Sequence, residues 1–561
     1  MNRNLLPRPS LKFRHKLPFR HLGPFFLIIV LFSAASLHCG KKNRGPQPTL
    51  DSAYIVEYME SEPAFRDQVI WAKNFYRERN FKLGWFKDHQ IRPEAQEVLQ
   101  VIGKAAEEGL DPRDYRIVDF EELFKKHEKG SRDTAKRNAL ERKIDVALSA
   151  TYFNWASDYY RGLVIPRENP NLIDWDVKRN KIKLHKALAT ILKERESKYP
   201  YAQFKPLHEE YAHLKTALAR YRKIDAAGGW PQIPAGTLKP GGTGPAVAAL
   251  RQRMKFFMSE PGTGDRYDPA LVQAVKTFQK ENGLNANGIV DAETRRLLNI
   301  PVRERINQII INMERWRWIP KSFEPDYIMV NIPEFRLKVV QDSQEVMTMR
   351  VIVGKELNNT PIFSDKMEYV VLSPYWNIPK NILVKEMLPK VEADPGYLER
   401  LDMEVIDADK NIIDPYSVDW STAADKSFKY IVRRRPGPKN DLGDVKFIFP
   451  NVDNIYLHDT PNDELFNQTK RGFSHGCVRV EEPIRLAEYL LKNAKGGSWS
   501  RERIQEQIRS REEKFVPLKE KLPVYLVYFT AWADEKGNAH FRDDIYGHDQ
   551  VLKKQYFARL K

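Results

Sequence analysis

The chain has 561 residues, 42% of them hydrophobic, 11% aromatic and 30% charged, which is room for three or four compact units and excludes a largely disordered chain, a collagen-like repeat or a multi-span membrane protein. Its formal charge of +17 fits an anionic partner, without choosing among nucleic acid, a membrane face and a carboxylate-rich polymer. The two cysteines, Cys39 and Cys477, exclude a disulfide-stapled scaffold and any metal site built from four thiolates.

Residues 1–38 hold Arg3, Arg8, Lys12, Arg14, Lys16 and Arg20 and no acid, followed by an apolar run from Phe25 to Leu37. The run is shorter than the ~20 residues of a spanning helix. A basic start, an apolar centre and small residues at its end form the pattern of an export signal. Cys39, directly after it, is a candidate for lipidation. Leu37 and His38 depart from the usual spacing, so an uncleaved anchor and ordinary cleavage stay open. The chain is expected to be exported, periplasmic and attached to the membrane through its N-terminus, which leaves nucleic acid out as a partner. Without 1–38 the charge is +11. A lone Cys477 in an oxidising compartment is either a free reactive thiol or an intermolecular partner.

Residues 39–51 read as a polar tether and 52–236 as mostly helical. Ile144, Ala147, Leu148, Thr151, Tyr152 and Trp155 recur as an amphipathic stripe, and Phe81, Trp85, Trp155 and Trp175 are expected in the core. A Gly- and Pro-rich linker leads into a small unit at 237–300. Its first helix is expected to present Val247, Leu250, Met254 and Phe257 on one face. Asp268 can cap a second helix with Pro269 in its first turn and Leu271, Val275 and Phe278 inward; Gly283 ends it, and Asp291 caps a third carrying Leu297 and Leu298. Residues 301–325 form a connecting segment with a basic, Trp-rich helix through Arg315, Trp316, Arg317 and Trp318.

From 326 the character turns to strands: Tyr327–Val330, Arg336–Val340, Met349–Val353, Glu368–Leu372, Lys446–Phe449, Ile455–Leu457 and Val524–Tyr528. A more polar, helix-and-loop insertion is expected at 383–440, and 536–561 reads as a C-terminal extension.

The chemistry concentrates in 456–483. His458 follows a short strand, and Cys477 comes 19 positions later across a turn-rich loop with Pro461, Asn462 and Gly472. Pro483 then opens a helix. A thiol near pKa ~8.5 is only a few per cent thiolate at neutral pH, and the thiolate is the nucleophile. Positive charge from His458, His475 and Arg479 is expected to lower that pKa. Gly476 allows close backbone approach, and amides around Gly476 and Cys477 are candidates to face an oxyanion, worth roughly 3–4 kcal/mol. His475 either takes part or only holds the loop. Metal binding by His458, Asp459, His475 and Cys477 lacks a compact zinc spacing, and no metal is expected.

Two stretches resemble known families. The text YDPALVQAVKTFQKENGLNANGIVDAETRRLL, 267–298, resembles the three-helix peptidoglycan-binding module, whose alternative here is a spacer that has lost its ligand. His458 with Ser474-His475-Gly476-Cys477-Val478-Arg479 resembles the signature of the YkuD-type L,D-transpeptidase catalytic domain. YWNIPKNI (375–382) and GPKNDLGDVKFIFPN (437–451) look like the large periplasmic members of that family.

The resemblance implies a multidomain α+β protein: a helical scaffold domain, a three-helix peptidoglycan-binding module, and a β-rich catalytic domain at 326–535 with a capping subdomain inserted at 383–440. It also implies Cys477 as nucleophile and His458 as general base and acid. Tyr456 lines the site, Ser474, His475, Gly476 and Arg479 surround the reacting centre, and Trp376, Asn377 and Asn440 are candidate substrate contacts. No metal or organic cofactor is implied. The partners implied are peptidoglycan stem peptides at the site and the polymer at 237–300. The reaction is 3→3 cross-linking of stems through a cysteinyl thioester with release of D-alanine, and carbapenems are implied as inhibitors. Rival readings are a cysteine carboxypeptidase using water as acceptor, attachment of a protein side chain to the wall, and a non-catalytic wall-binding protein.

Overall fold

The computed structural model describes residues 46–166, 175–176, 182–193, 208–258, 262–320, 322–492 and 494–558. The export signal and Cys39 lie outside the described residues, as does the side chain of Trp175.

Short acidic side chains set the helix starts. Asp133 accepts from the amides of Ala135 and Lys136 and opens α1 (Thr134–Arg161), whose expected stripe is buried. Asp145, inside that helix, is buried as well. Its carboxylate accepts from Tyr76 Oη at 2.7 Å and from the amides of Gly84 and Trp85 at 3.0 and 2.7 Å, fastening α1 to the preceding loop. Trp85 and Trp155 are core residues and Phe81 packs against that core. The tether ends earlier than expected: Leu50 is buried and its amide donates to Phe81 O at 2.9 Å.

After α2 (Glu209–Ala226) comes the small module of α3 (Pro245–Met254), α4 (Pro269–Glu281) and α5 (Ala292–Leu298). Asp268 caps α4 through the Leu271 amide and Asp291 caps α5 through the Thr294 amide, each at 2.8 Å. Val247, Leu250, Met254, Leu271, Val275, Phe278, Leu297 and Leu298 close a core of their own. Phe257 is the exception. It lies past the end of α3 and turns to Tyr221 and Trp230.

α6 (Val302–Trp318) corrects the idea of a connecting helix. Arg315, Trp316, Arg317 and Trp318 are all buried, and the helix packs on α2 and α1. Glu314 accepts from Arg317 Nη1 at 2.9 Å and from the Val164 amide at 2.8 Å, while Arg317 also donates to Glu108 O and Tyr211 Oη.

Strands β1 (Tyr327–Asn331), β2 (Arg336–Gln341) and β3 (Gln344–Gly354) form an antiparallel meander, followed by β4 (Ile362–Leu372). The insertion then builds its own sheet, ordered β7-β6-β8-β5, from β5 (Trp376–Asn377), β6 (Met403–Ile406), β7 (Ile412–Ile413) and β8 (Ile431–Arg434). It is therefore not only helix and loop, and it has a separate core that includes Ile382, Leu383, Met387, Val405 and Val432. That core begins before 383, because Ile378 and Ile382 belong to it.

The main sheet resumes with β9 (Val445–Ile448), β10 (Leu457–His458), β11 (Gly472–Ser474) and β12 (Val478–Val480), continues through α7 (Pro483–Leu491) and returns as β13 (Lys514–Val527). The path β9-β10-β12-β3-β2-β1-β13-β4 closes on itself because β9 also pairs with β4. The boundary expected at 535 falls inside a hairpin, β14 (Ala531–Ala533) with β15 (Ala539–Phe541), and α8 (His548–Ala558) packs back on α6.

Candidate active site

Register places the reacting side chains. Lys446 on β9 lies opposite His458 on β10, which lies opposite Arg479 on the parallel strand β12. The neighbouring row, Phe447, Leu457 and Val478, is fully buried. Alternation then puts Lys446, His458 and Arg479 on the other face, with Tyr456 and Cys477 in the next row of that face. This face forms the floor of a cavity of about 880 Å³, also lined by Trp376, Asn377, Asn454 and Glu386.

Cys477 is held by its own turn. Ser474 is buried, and its hydroxyl donates to Cys477 O at 2.5 Å and accepts from the Gly476 amide at 3.2 Å. Gly476 has φ of +117°, a conformation side chains rarely adopt. Its carbonyl accepts from Thr360 Oγ1 at 2.7 Å. Thr360 Oγ1 accepts in turn from the Gly354 amide, and Tyr546 Oη donates to Gly354 O at 2.7 Å. A side chain at Gly354 would run into Asn358 O. The Gly476 amide is thus occupied, which leaves the Cys477 amide as the free oxyanion candidate of the pair.

The electrostatics differ from the expectation. Burial pushes the Cys477 thiol above its ordinary range, opposed by Tyr456 and by the charges of Lys446 and Arg479. The Tyr456 side chain lies in the same row as Cys477 and acts electrostatically on its sulfur, while the Cys477 thiol itself donates to Asn454 O at 3.9 Å. Lys446 Nζ lies 3.9 Å from the centre of the Tyr456 ring.

His458 supplies no positive charge: burial first, then Arg479 and Lys446, push its pKa down to about 3. Its Nδ1 is 2.5 Å from Asp459 O, the distance of a donated N–H, which leaves Nε2 as the acceptor. His475 turns to the insertion, with Nε2 3.0 Å from Glu386 Oε1. The Asp459 carboxylate turns to the amides of Asp444 and Thr460.

Trp376 and Asn377 line the cavity, as expected of substrate contacts; Asn440 does not. It is buried, donates to Pro374 O and Arg435 O, and accepts from the Leu442 amide, so it braces a turn. Lys446, Thr360, Tyr546 and Glu386 went unnoticed in the sequence. Only Lys446, inside the 437–451 stretch, carried a signal there.

Three family profiles match the chain: "L,D-transpeptidase catalytic domain" (YkuD) at residues 325–501, "Scaffold domain" at 71–218 and "Putative peptidoglycan binding domain" at 243–298. A Haemophilus influenzae protein named "Putative L,D-transpeptidase" is 39% identical over 256 residues, 45% of this chain and 51% of that protein. The chain thus spans about half the length of the curated relative it matches. A solved L,D-transpeptidase from Xylanimonas cellulosilytica is 18% identical, covers 53% of this chain and 98% of that one, and overlays with a TM-score of 0.17.

Proposed function

We propose that the chain, whose segments match the profiles of a YkuD L,D-transpeptidase catalytic domain, a scaffold domain and a peptidoglycan-binding domain, forms 3→3 cross-links between peptidoglycan stem peptides. The observation that carries this reading is Cys477 on the floor of a cavity, with Tyr456 and a neutral His458 on the same face and two cations alongside.

In the first half-reaction Cys477 Sγ attacks the carbonyl at the L-centre of the third stem residue. The thiol proton leaves through His458 Nε2 and passes to the departing amine. The S–C bond forms, the C–N bond breaks, and D-alanine departs. In the second, the side-chain amine of another stem attacks the thioester, the C–S bond breaks, and a proton from the amine restores the thiol. Because burial keeps both partners uncharged at rest, thiolate forms during attack and does not stand as a permanent ion pair. The module at 237–300 holds the polymer, and the site of action is the periplasmic wall, with the N-terminus attached to the membrane.

Incubating the purified chain with tetrapeptide muropeptides and weighing the products tests the reading. Dimers that have lost one D-alanine support it. Tripeptide monomers alone would make the protein a carboxypeptidase, and unchanged substrate with retained wall binding would leave a binding protein. Cys477→Ala is expected to abolish all products while the far-ultraviolet dichroism stays unchanged. Dimers formed by that variant would overturn the nucleophile.

A further inference from the structure

Two cations in the cavity are claimed by no protein carboxylate. Lys446 stacks on Tyr456 but makes no hydrogen bond or ion pair among the described residues. Arg479 makes none either, and its Nε is buried without a partner. The nearest acids are otherwise engaged: Asp441 pairs with Arg434, and Glu513 accepts from the Tyr375 amide. Elsewhere in the fold several buried cations meet a carboxylate, Arg315 with Asp549, Arg317 with Glu314 and Arg433 with Glu404, while Arg253 and Arg305, which do not, are covered by aromatic rings and neutral acceptors and line no cavity beside a nucleophile. A cation withdrawn from water without a counter-ion is costly. Two of them beside one nucleophile describe a receptor awaiting an anion.

We propose that Lys446, with Arg479 across His458 from it, receives the free terminal carboxylate of the donor stem and so selects donors that end one residue beyond the bond that breaks. The inference rests on the transpeptidase reading for its substrate. Its chemistry follows from reach. Successive Cα atoms are about 3.8 Å apart, so a carboxylate one residue past the attacked carbonyl lies within about 5 Å of it, and each added residue carries it about 3.5 Å further. A stem with one more residue would strand its carboxylate beyond the pair. Charge-assisted hydrogen bonds to ammonium and guanidinium make the difference a strong one.

Equilibrium binding to the full chain carrying Cys477→Ala tests the proposal without turnover, so it stays readable even if the protein hydrolyses stems or fails to cross-link them. Three ligands are compared by calorimetry: the tetrapeptide stem, the same stem with a terminal carboxamide, and the stem with its terminus free but the third residue's side-chain carboxyl amidated. The terminal carboxamide is expected to bind about tenfold or more weakly, the side-chain amide about as well as the parent. Adding Lys446→Met should bring acid and terminal amide together by weakening the acid alone, and Lys446→Arg should keep the preference. Unchanged affinity for the terminal amide shows that each variant is folded. Equal binding of acid and terminal amide before Lys446 is changed overturns the proposal. So does a dependence on the side-chain carboxyl only, or an equal loss for both ligands in Lys446→Met and in a second variant, Lys446→Gln.

Discussion

At Cys477 burial outweighs the neighbouring charges, so the resting thiol keeps its proton. The iodoacetamide alkylation rate is therefore expected to go on rising above the pH range of a free thiol, and Tyr456→Phe, which removes a side chain that favours the thiolate, should move the rise higher. A plateau already reached by about pH 7 would contradict the buried thiol. A carbapenem should add its mass to wild type but not to Cys477→Ala; an adduct on both, or on neither, would contradict the site. His458 offers a separate test. Its folded pKa of about 3 lies below the unfolded value of ~6.5. The unfolded chain binds the extra proton between those values, so the stability His458 contributes is complete above ~6.5 and drains away as pH falls toward 3. Denaturant titration should find the wild-type advantage over His458→Gln shrinking between about pH 7 and about pH 4, and a constant advantage would refute it. His458 and Cys477 stand out as candidates in the sequence because of residue type and spacing, and they line one cavity. Thr360 and Tyr546 reach the site only through distant packing, which no local pattern carries, and Lys446, though inside the 437–451 stretch, is placed beside His458 by strand register. Asn440 misled because an asparagine in a Gly- and Pro-rich loop braces turns as readily as it binds ligands.

The strands of the meander were largely readable from alternation, whereas β4 and β13 were read only over their last residues, from Glu368 and from Val524. The insertion's strands were not readable, since runs of two to four residues between prolines and turns look like loop. The structure also gives a clean way to remove that element. Asn377 and Arg433 are direct partners on antiparallel strands, so a two-residue Asn-Gly turn can replace 378–432. The insertion has its own core, and the rest of the chain should keep its melting temperature. The insertion touches the nucleophile turn through Glu386 and His475. If it is a lid that excludes water, its removal should abolish dimer formation or shift products toward hydrolysed tripeptide; an unaltered ratio and rate would leave it a surface decoration. The turn brace is a second test at this scale. Thr360→Val removes the donor to Gly476 O and the acceptor for the Gly354 amide, at a cost of about 1–3 kcal/mol in stability. Loss of turnover beyond what that destabilisation explains would mark Thr360 as a positioning residue.

Over the whole molecule the basic helix α6 is the element whose burial its composition announces least, because a run of arginines carries no sign of which partners will cover it. Here they are buried and paired, Arg315 Nη2 lying 2.6 Å from Asp549 Oδ1 on α8. Asp549→Ala removes that carboxylate from a buried guanidinium and should cost about 3–5 kcal/mol, read as a lowered thermal midpoint with no change in the oligomeric state. A loss under about 1 kcal/mol would mean the pair is solvated in solution. The same burial qualifies the net charge: Arg305, Arg315 and Arg317 count toward +17 but face no solvent, so less of it reaches a polyanion. The docking of α8 has a consequence for the order of assembly. Leu552 and Tyr556 are buried, and Tyr556 Oη donates to Gly109 O, in the helical region that precedes the catalytic domain in the chain. A chain emerging N-terminus first holds that helical region without its α8 cover until the residues after His548 arrive, so a region made well before the catalytic domain is sealed only after it.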